Sequence, residues 1–272
     1  GPERLVPAQR FVAFGCMITS DQSVIERAAD LGVNLFDTAR GYQGGNNERL
    51  VGAALKGRRD RVFISTKSGG KTKEEALAHL DESLKQLDTD HVDIWYLHGK
   101  KAAEEITDEL LDAQRVAKEQ GKIRFAGVSL HAGHEVVVPA AIQKKMDVVL
   151  ITYNFTMGDR NDALMKSLHD AGVGVVAMKV MAGGRGPEAV ALRERLAAQG
   201  GIGHVAQDRA GAVEAPPDVP YPLAERPPGV GDDRSEDVVL LSTVVDTAPP
   251  EDQLRILHKT IKAVTDDIDR LS

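Results

Sequence analysis

The feature of this sequence that most constrains its fold is a regular alternation of short apolar runs with amphipathic segments, which continues from residue 20 to residue 182. The runs are rich in β-branched residues, which favour strands, and the segments between them have the apolar spacing of helices. Seven runs are predicted to be strands: residues 11–15, 33–36, 62–65, 92–97, 123–128, 148–153 and 173–180. Strands that alternate with helices pair in a parallel sheet, and most of these runs are too apolar to have a wet face. We therefore expect helices to cover the sheet.

The segments between the strands carry helix start and stop signals that have a physical cause. Thr72 is predicted to cap a helix with its hydroxyl, while Glu75, three residues on, returns the hydrogen bond. Residues 19–21, Thr-Ser-Asp, are expected to start an earlier helix. Left-handed residues are needed just past many helix ends, and glycines stand at three such places: Gly32, Gly121 and Gly172.

The segment from residue 199 to residue 236 breaks the alternation. It holds six of the chain's 12 prolines and has no sustained periodicity, so it is predicted to be a long irregular loop. Residues 238–245 are then predicted to form an eighth strand, and apolar residues at three-and-four spacing from Leu254 to Leu271 predict a final helix. The expected fold is a single-domain α/β protein, the (β/α)₈ or TIM barrel, for which 272 residues is a usual size.

Composition and charge exclude several classes of protein. The net charge of -7 and the pI near 5.7 give no basic surface for the phosphates of nucleic acid. Cys16 is the only cysteine, which excludes an intramolecular disulfide and a metal site built from several thiolates. Because no apolar run is long enough for a membrane span and the first residues lack an export signal, a cytoplasmic protein without a membrane partner is expected. Gly1-Pro2 resembles a protease scar, which leaves a removed export signal as an open alternative.

Polar residues follow four successive predicted strands, at the point where each strand ends. These residues are Asp37, Lys67, His98 and Ser129. In a closed barrel, neighbouring strands lie side by side and catalytic groups lie at their carboxyl ends. We therefore expect these four side chains to converge around one opening.

Tyr42 lies five residues beyond Asp37, in a loop that glycines make adaptable, close enough to fold over the same opening. A tyrosine, with a pKa of about 10, is a poor proton donor or acceptor at neutral pH. A nearby Lys67 ammonium is expected to lower the pKa of Tyr42, and Asp37 to keep Lys67 charged. His98 can then position a substrate carbonyl with one ring nitrogen. This combination predicts acid catalysis at a carbonyl group.

These motifs resemble those of the aldo-keto reductases. The similarity rests on Asp37-Thr38-Ala39 followed by Tyr42, on Lys67 at the end of Ser65-Thr66-Lys67, and on His98 at the end of residues 93–98, DIWYLH. It continues in the family's order through residues 121–124 (GKIR), 127–129 (GVS), Tyr153-Asn154 and 172–179 (GVGVVAMK). It covers about residues 11–186 of the chain.

The resemblance implies reduction of an aldehyde or ketone with NADPH, with NADH as the other possibility, or oxidation of an alcohol in reverse. Hydride passes directly from the nicotinamide ring. The residue matching Tyr42 protonates the developing alkoxide, the residue matching Lys67 tunes it, Asp37 holds the lysine, and His98 orients the carbonyl. The partner is then a small-molecule carbonyl or alcohol; the sequence predicts neither its identity nor the number of subunits.

The resemblance also implies a set of cofactor-binding residues. They are Ser129, Met178 and Lys179 at strand ends, Gly183, Gly184 and Arg185 in the loop after the seventh strand, and Gln253 in the final helix. Backbone N–H groups and one arginine suit the cofactor pyrophosphate in that loop.

The sequence departs from the family at several of these places. Leu130 and Leu150 stand where the family has Asn and Gln around the nicotinamide amide, and Met178 stands where many members stack a tyrosine. Near the adenosine end, Leu257 replaces the family's Asn, so the C-terminal region is diverged. The start of the chain also lacks a clear copy of the hairpin that closes the barrel bottom in the family.

Other interpretations of the same residues stay open. A barrel that binds the cofactor as a sensor or scaffold, with weak or no turnover, accounts for the three leucines above. A lyase or isomerase would use Lys67 in a Schiff base, although Asp37 should keep that lysine protonated. His131 and His134 have a metal-ligand spacing without an evident partner nearby, so no metal is expected. Cys16 is interpreted as a packing residue.

Overall fold

The computed structural model describes residues 12–153, 159–179 and 238–241. Eight strands lie in these ranges: β1 Val12–Gly15, β2 Leu35–Asp37, β3 Phe63–Ser68, β4 Val92–Leu97, β5 Ile123–Leu130, β6 Val148–Thr152, β7 Gly174–Met178 and β8 Val238–Leu241. The same ranges contain six α-helices: α1 Gln22–Asp30, α2 Asn46–Ala54, α3 Lys73–Leu87, α4 Asp108–Glu119, α5 His134–Gln143 and α6 Asp159–Asp170.

The eight strands form a closed barrel in chain order, with every neighbouring pair parallel. The barrel closes between β8 and β1, where Ala13 pairs with Leu240. The prediction of a (β/α)₈ barrel is thus confirmed. The predicted strand at residues 92–97 matches β4, and β1 to β3 and β5 to β7 differ from their predicted bounds by one to three residues, because an apolar run does not show where ladder hydrogen bonds begin and end.

Alternate side chains of each strand point into the barrel. Deep inside, these side chains form one apolar cluster: Ala13, Leu35, Ile94, Tyr96, Phe125, Val148, Leu150, Val176 and Met178. Further along β2 and β3 on the same side, the inward residues become Asp37 and Lys67, both buried. A second, larger cluster fills the space between the strands and the helices. The interior therefore changes from apolar to charged toward the carboxyl ends of the strands.

Gly127 on β5 makes room for the largest side chain of the interior. A Cβ at this position would lie 2.6 Å from the Val148 carbonyl oxygen and 2.7 Å from the Tyr96 ring. The ring of Tyr96 is fully buried there, and its hydroxyl has no hydrogen-bond partner among the described residues. A glycine on β5 thus allows an aromatic ring from β4 to fill the barrel.

The helix boundaries have the signals that the sequence predicted. Asp21 caps α1 by accepting from the N–H of Ser23, and Thr72 caps α3 by accepting from the N–H of Glu75. The Glu75 carboxylate reaches back to the N–H of Lys71, one residue earlier than we expected. Gly32, Gly121 and Gly172 all have positive φ, at 91°, 71° and 71°.

Several sequence predictions concern residues outside the described ranges. These are the irregular loop at 199–236, the second half of the predicted strand at 238–245, the final helix, and the missing hairpin at the start of the chain. The single-domain organisation stays a prediction. Among the six helices of the described ranges, none combines the length and the apolar character that a membrane crossing needs.

Replacing Gly127 with alanine is expected to destabilise the barrel by about 1–3 kcal/mol, because the new methyl group would overpack the interior against a backbone carbonyl and a buried ring. Urea unfolding followed by circular dichroism measures this loss. Gly69→Ala is the matched control, since its Cβ would meet nothing within 4 Å. Equal stability of the two variants would contradict the close approach at Gly127.

Candidate active site

The carboxyl ends of β2, β3 and β4 bring the predicted residues together. Asp37 is the last residue of β2, Lys67 lies in β3, and His98 directly follows β4. Tyr42 begins a short 3₁₀ turn between β2 and α2. We call this end of the barrel the mouth. Each side chain is placed by the alternation of its strand or, for Tyr42, by the loop that leaves β2.

A buried ion pair lies at the centre of the mouth. The ammonium Nζ of Lys67 donates to Oδ2 of Asp37 at 2.5 Å and to the carbonyl oxygen of Thr38 at 2.7 Å. The other carboxylate oxygen of Asp37 accepts from the hydroxyl of Ser65 at 2.6 Å. The exposed fractions of Lys67 and Asp37 are only 2% and 5%. Burial alone would lower the pKa of Lys67, but the charges and hydrogen bonds of Asp37 and Tyr42 outweigh it and raise this pKa. Lys67 is therefore a fixed cation.

The phenol of Tyr42 lies over this cation. The Lys67 Nζ is 4.9 Å from the centroid of the Tyr42 ring. The His98 ring meets the same phenol edge-on, with centroids 5.7 Å apart and planes 80° apart. The structure thus brings Asp37, Tyr42, Lys67 and His98 together, and the Lys67 cation contacts the Tyr42 ring as expected.

The net pKa of Tyr42 differs from the sequence-based expectation. Burial of the phenol raises this pKa, and the charge and hydrogen bond of Lys67 lower it without outweighing the burial. Asp37 adds to the upward shift because it places a negative charge near a forming phenolate. Tyr42 is therefore protonated at neutral pH and is available as a proton donor.

His98 is a neutral imidazole at neutral pH. Burial lowers its pKa to about 4, and the positive charges of Lys67 and Lys100 and the neighbouring His131 act in the same direction. A neutral ring has one N–H donor and one acceptor nitrogen. Gly99 follows His98 with φ at 65°, and a Cβ there would meet nothing within 4 Å. The backbone at Gly99 is therefore not crowded by other described segments.

A buried polar network that the sequence analysis missed holds the loop of Tyr42. Glu48 on α2 is fully buried, forms an ion pair with Arg40, and accepts from the hydroxyl of Thr66 at 2.6 Å. Asn47, also fully buried, accepts from the hydroxyl of Thr38 at 2.6 Å. Both ends of the loop are therefore tied to neighbouring strands.

A polar pair at a helix start resembles a solvated cap in sequence, which explains why Asn47 and Glu48 were missed. The signal that distinguishes them is their position five and six residues after Tyr42, in a stretch that must cross the barrel end. The Asn47 side chain also donates to the carbonyl oxygen of Cys16 at 2.8 Å, across the loop after β1. The network therefore joins the carboxyl ends of three consecutive strands, β1, β2 and β3.

The predicted cofactor residues are only partly within the described ranges. Ser129 lies in β5, fully buried, where its hydroxyl accepts from the N–H of Gly99 at 2.9 Å and donates to the carbonyl oxygen of Leu97 at 3.4 Å. Met178 ends β7 with 7% of its surface exposed, and Lys179 follows it exposed. Four further residues, Gly183, Gly184, Arg185 and Gln253, lie outside the described ranges.

The side of the mouth formed by β5 to β7 has the chemistry that a nicotinamide ring requires. The Met178 thioether lies beside Leu150 in the apolar cluster, and such a group packs well against an aromatic face. The Ser129 hydroxyl keeps one acceptor lone pair, and its long bond to Leu97 leaves its proton easy to redirect toward an amide. The residues present therefore fit this group, opposite the Tyr42 side of the mouth.

His131 and His134 both turn toward Thr152 at the end of β6. His131 Nδ1 is 3.2 Å from the hydroxyl of Thr152, and His134 Nε2 is 2.9 Å from its carbonyl oxygen. Within the described ranges, no three His, Cys, Asp or Glu side chains are arranged to hold a metal ion. The spacing of these two histidines is thus explained by contacts to one strand end.

Cys16 packs beneath the mouth. Its side chain is fully buried, and burial, reinforced by the nearby charge of Asp37, raises the pKa of the thiol. A thiol in this state is a poor nucleophile, in agreement with its interpretation as a packing residue.

Comparisons with known proteins agree with this geometry. The model of the aldo/keto reductase family matches residues 19–198. The uncharacterized oxidoreductase YqkF of Bacillus subtilis is 31% identical over 202 residues, which are 66% of this chain and 61% of that protein. The aldo-keto reductase yakc [NADP(+)] of Schizosaccharomyces pombe is 32% identical over 161 residues, which are 50% of this chain and 46% of that protein.

Among solved structures, the holo form of the aldo-keto reductase AKR11C1 from Bacillus halodurans matches with a TM-score of 0.56 and 28% identity, over 61% of this chain and 60% of that chain. The chain therefore spans between about half and three fifths of the lengths of these relatives. Because the family model covers more than half of the sequence and its range includes all four residues of the mouth, the chain belongs to the aldo/keto reductase family.

Proposed function

We propose that this protein reduces the carbonyl group of a small aldehyde or ketone to an alcohol, or catalyses the reverse oxidation, with NADPH as the hydride donor and Tyr42 as the general acid. The observation that carries the proposal is the contact of a buried, ion-paired ammonium with a protonated phenol that lies edge-on to a neutral imidazole. The name of the yeast relative, which includes NADP(+), supports the choice of cofactor.

The Tyr42 hydroxyl donates its proton to the substrate oxygen as negative charge develops there. Its raised pKa keeps it protonated beforehand. The Lys67 ammonium then stabilises the phenolate that forms, and Asp37 keeps this cation in place. Preorganised donors of this kind are worth roughly 3–4 kcal/mol each toward a developing oxyanion.

His98 orients the carbonyl. Because its ring is neutral, it directs a single N–H donor at the substrate oxygen without competing with Tyr42 as an acid. Tyr42 and His98 thus hold the oxygen from two directions.

Ser129, Met178 and Lys179 would hold the nicotinamide end of the cofactor, with Gly183, Gly184, Arg185 and Gln253 proposed for the remainder. When bound, the cofactor supplies a hydride to the carbonyl carbon. The apolar side chains of Met178 and Leu150 would limit the access of water to this side of the nicotinamide. A Schiff base at Lys67 is disfavoured, because its raised pKa keeps the amine protonated.

Tyr42→Phe is expected to reduce kcat at least about a hundredfold, on the order of 3 kcal/mol, because the variant lacks the proton donor. Its affinity for NADPH should stay within about threefold, since the ring still fills its place. Steady-state reduction of a carbonyl panel and fluorescence titration with NADPH measure the two quantities.

The matched control for this experiment is Tyr96→Phe, which removes a phenol hydroxyl from the same barrel. The Tyr96 hydroxyl is buried without a partner, so its loss should leave kcat unchanged and the stability equal or slightly higher. Full turnover by Tyr42→Phe would disprove the proposed acid. NADPH binding without oxidation by the unmodified protein across the panel would instead favour a non-catalytic barrel.

The neutrality of His98 predicts how stability depends on pH. The unfolded chain has the ordinary histidine pKa of 6.5 and the folded chain about 4, so between these values the unfolded chain binds more protons. The free energy of unfolding should therefore be at its full value above pH 6.5 and fall as the pH falls toward 4. Between pH 7 and pH 5.5 the contribution of His98 is about 1 kcal/mol.

Urea unfolding at these two pH values, for the unmodified protein and for His98→Gln, measures this contribution. The variant should lose less stability on acidification, because it has no imidazole at this position. His131, whose pKa is also lowered by burial, is present in both proteins and cancels in the comparison. An identical pH dependence of the two proteins would show that His98 is not held neutral.

A further inference from the structure

Lys100, the second residue after His98, has a buried side chain without an anionic partner. Its exposed fraction is 9%. In the described part of the chain, no carboxylate oxygen lies within 4.0 Å of its ammonium, whereas Lys67 in the same mouth has Asp37 at 2.5 Å. Lysine is rarely buried unless it is paired. A lysine with only 9% of its surface exposed and no described carboxylate partner is therefore a feature that folding alone does not explain.

The backbone places this lysine rigidly at the mouth. The N–H of Lys100 donates to the carbonyl oxygen of Ser129 at 2.9 Å, and the N–H of Gly99 donates to the Ser129 hydroxyl. The charge of Lys100 is close enough to His98 to lower the pKa of that ring. Between the two lies Gly99, where a Cβ would meet nothing within 4 Å. Lys100 and His98 thus lie on the same short segment that leaves β4, and the charge of one acts on the ring of the other.

The nearest acidic group does not neutralise Lys100. The Glu105 carboxylate accepts from the backbone N–H groups of Lys101 and Ala102 at 2.6 and 3.2 Å, which fixes it on the following turn. Burial lowers the pKa of Lys100, with Lys71 adding to the effect, and Glu105 opposes it without reversing it. An anion in the opening would offset the cost of this buried charge.

Among the described residues, the charges near Lys100 do not cancel its ammonium. Asp37 is matched by Lys67, and Lys71 adds positive charge near Lys100. This occurs in a chain whose net charge is -7, so the charge near Lys100 has the sign opposite to the overall one. Such a field favours an anionic ligand in the opening.

We propose that Lys100 binds the carboxylate of a substrate whose carbonyl group is held by His98 and Tyr42, so that the site prefers aldehydes or ketones that carry a carboxylate. Within the described residues, Lys100 is the buried lysine without a carboxylate oxygen within 4.0 Å, and a substrate carboxylate would supply that partner. The inference rests on the proposed function and adds a substrate class to it. Lys100 is then a specificity-determining residue.

The test compares an aldehyde that carries a carboxylate with its uncharged methyl ester. Two such pairs are used: 4-carboxybenzaldehyde and its methyl ester, and the shorter succinic semialdehyde and its methyl ester. The quantity measured is the ratio of kcat/KM for the acid to kcat/KM for the ester. Lys100→Met should reduce this ratio by about tenfold to a hundredfold in at least one pair, as expected for loss of a hydrogen bond between charged groups. Lys100→Arg should retain most of the discrimination.

Lys101→Met is the matched control, because it removes the same charge from the next residue, whose side chain is exposed. Its ratio should equal that of the unmodified protein. Lys100→Gln replaces Lys100→Met if the latter does not fold, as judged by circular dichroism. An unchanged ratio in both pairs overturns the inference. So does a loss of NADPH affinity that lowers kcat/KM equally for acid and ester, because Lys100 would then belong to the cofactor site.

A binding measurement separates this inference from the proposed function. Calorimetric titration of 4-(hydroxymethyl)benzoate in the presence of NADPH requires no turnover. Suppose that none of the aldehydes is reduced. If 4-(hydroxymethyl)benzoate still binds and Lys100→Met weakens its binding about tenfold or more, the proposed reduction fails while the carboxylate site stands. If 4-(hydroxymethyl)benzoate binds equally to both proteins, the inference is overturned.

Discussion

The buried ion pair between Lys67 and Asp37 is the interaction on which the rest of the mouth depends. Removing both charges from water is costly, and the pair persists because Ser65 and Thr38 satisfy the remaining hydrogen bonds. The Lys67 charge then acts on its neighbours: it adds to the effect of burial in lowering the pKa of His98, and it partly offsets the effect of burial on the pKa of Tyr42. The same Lys67 cation thus acts on both rings, of which Tyr42 is the proposed proton donor and His98 the proposed group that orients the carbonyl.

The barrel and the α2 loop make this arrangement rigid in different ways. Below the ion pair, the Tyr96 ring fills the interior that Gly127 leaves open. The strands that carry the charged residues therefore surround a tightly packed apolar interior. Beside it, Glu48 and Asn47 tie the loop of Tyr42 to strands on either side. Tyr42 comes from a loop, yet its position is fixed by buried polar contacts, as the proton transfer proposed for it requires.

Much of this could be predicted from the sequence, and the exceptions share a cause. The alternation of apolar runs gave the barrel, and the polar residues at strand ends gave the mouth, because both depend on the order of residues along the chain. The net pKa of Tyr42, the burial of Glu48 and the missing partner of Lys100 depend instead on how much water the surrounding segments exclude. Burial of a polar side chain is a property of the packed molecule, and no local pattern distinguishes it from a solvated helix start.

The position of Cys16 has a consequence for following the molecule in solution. It is the chain's only thiol, and it lies fully enclosed at the exit of β1, with its N–H bonded to the carbonyl oxygen of Asp37 at 2.8 Å. Alkylating reagents and peroxides can reach it when the segment after β1 separates from the end of β2. Its rate of modification therefore reports how often this corner of the barrel opens, and bound ligands that hold the corner shut should protect the sulfur from attack.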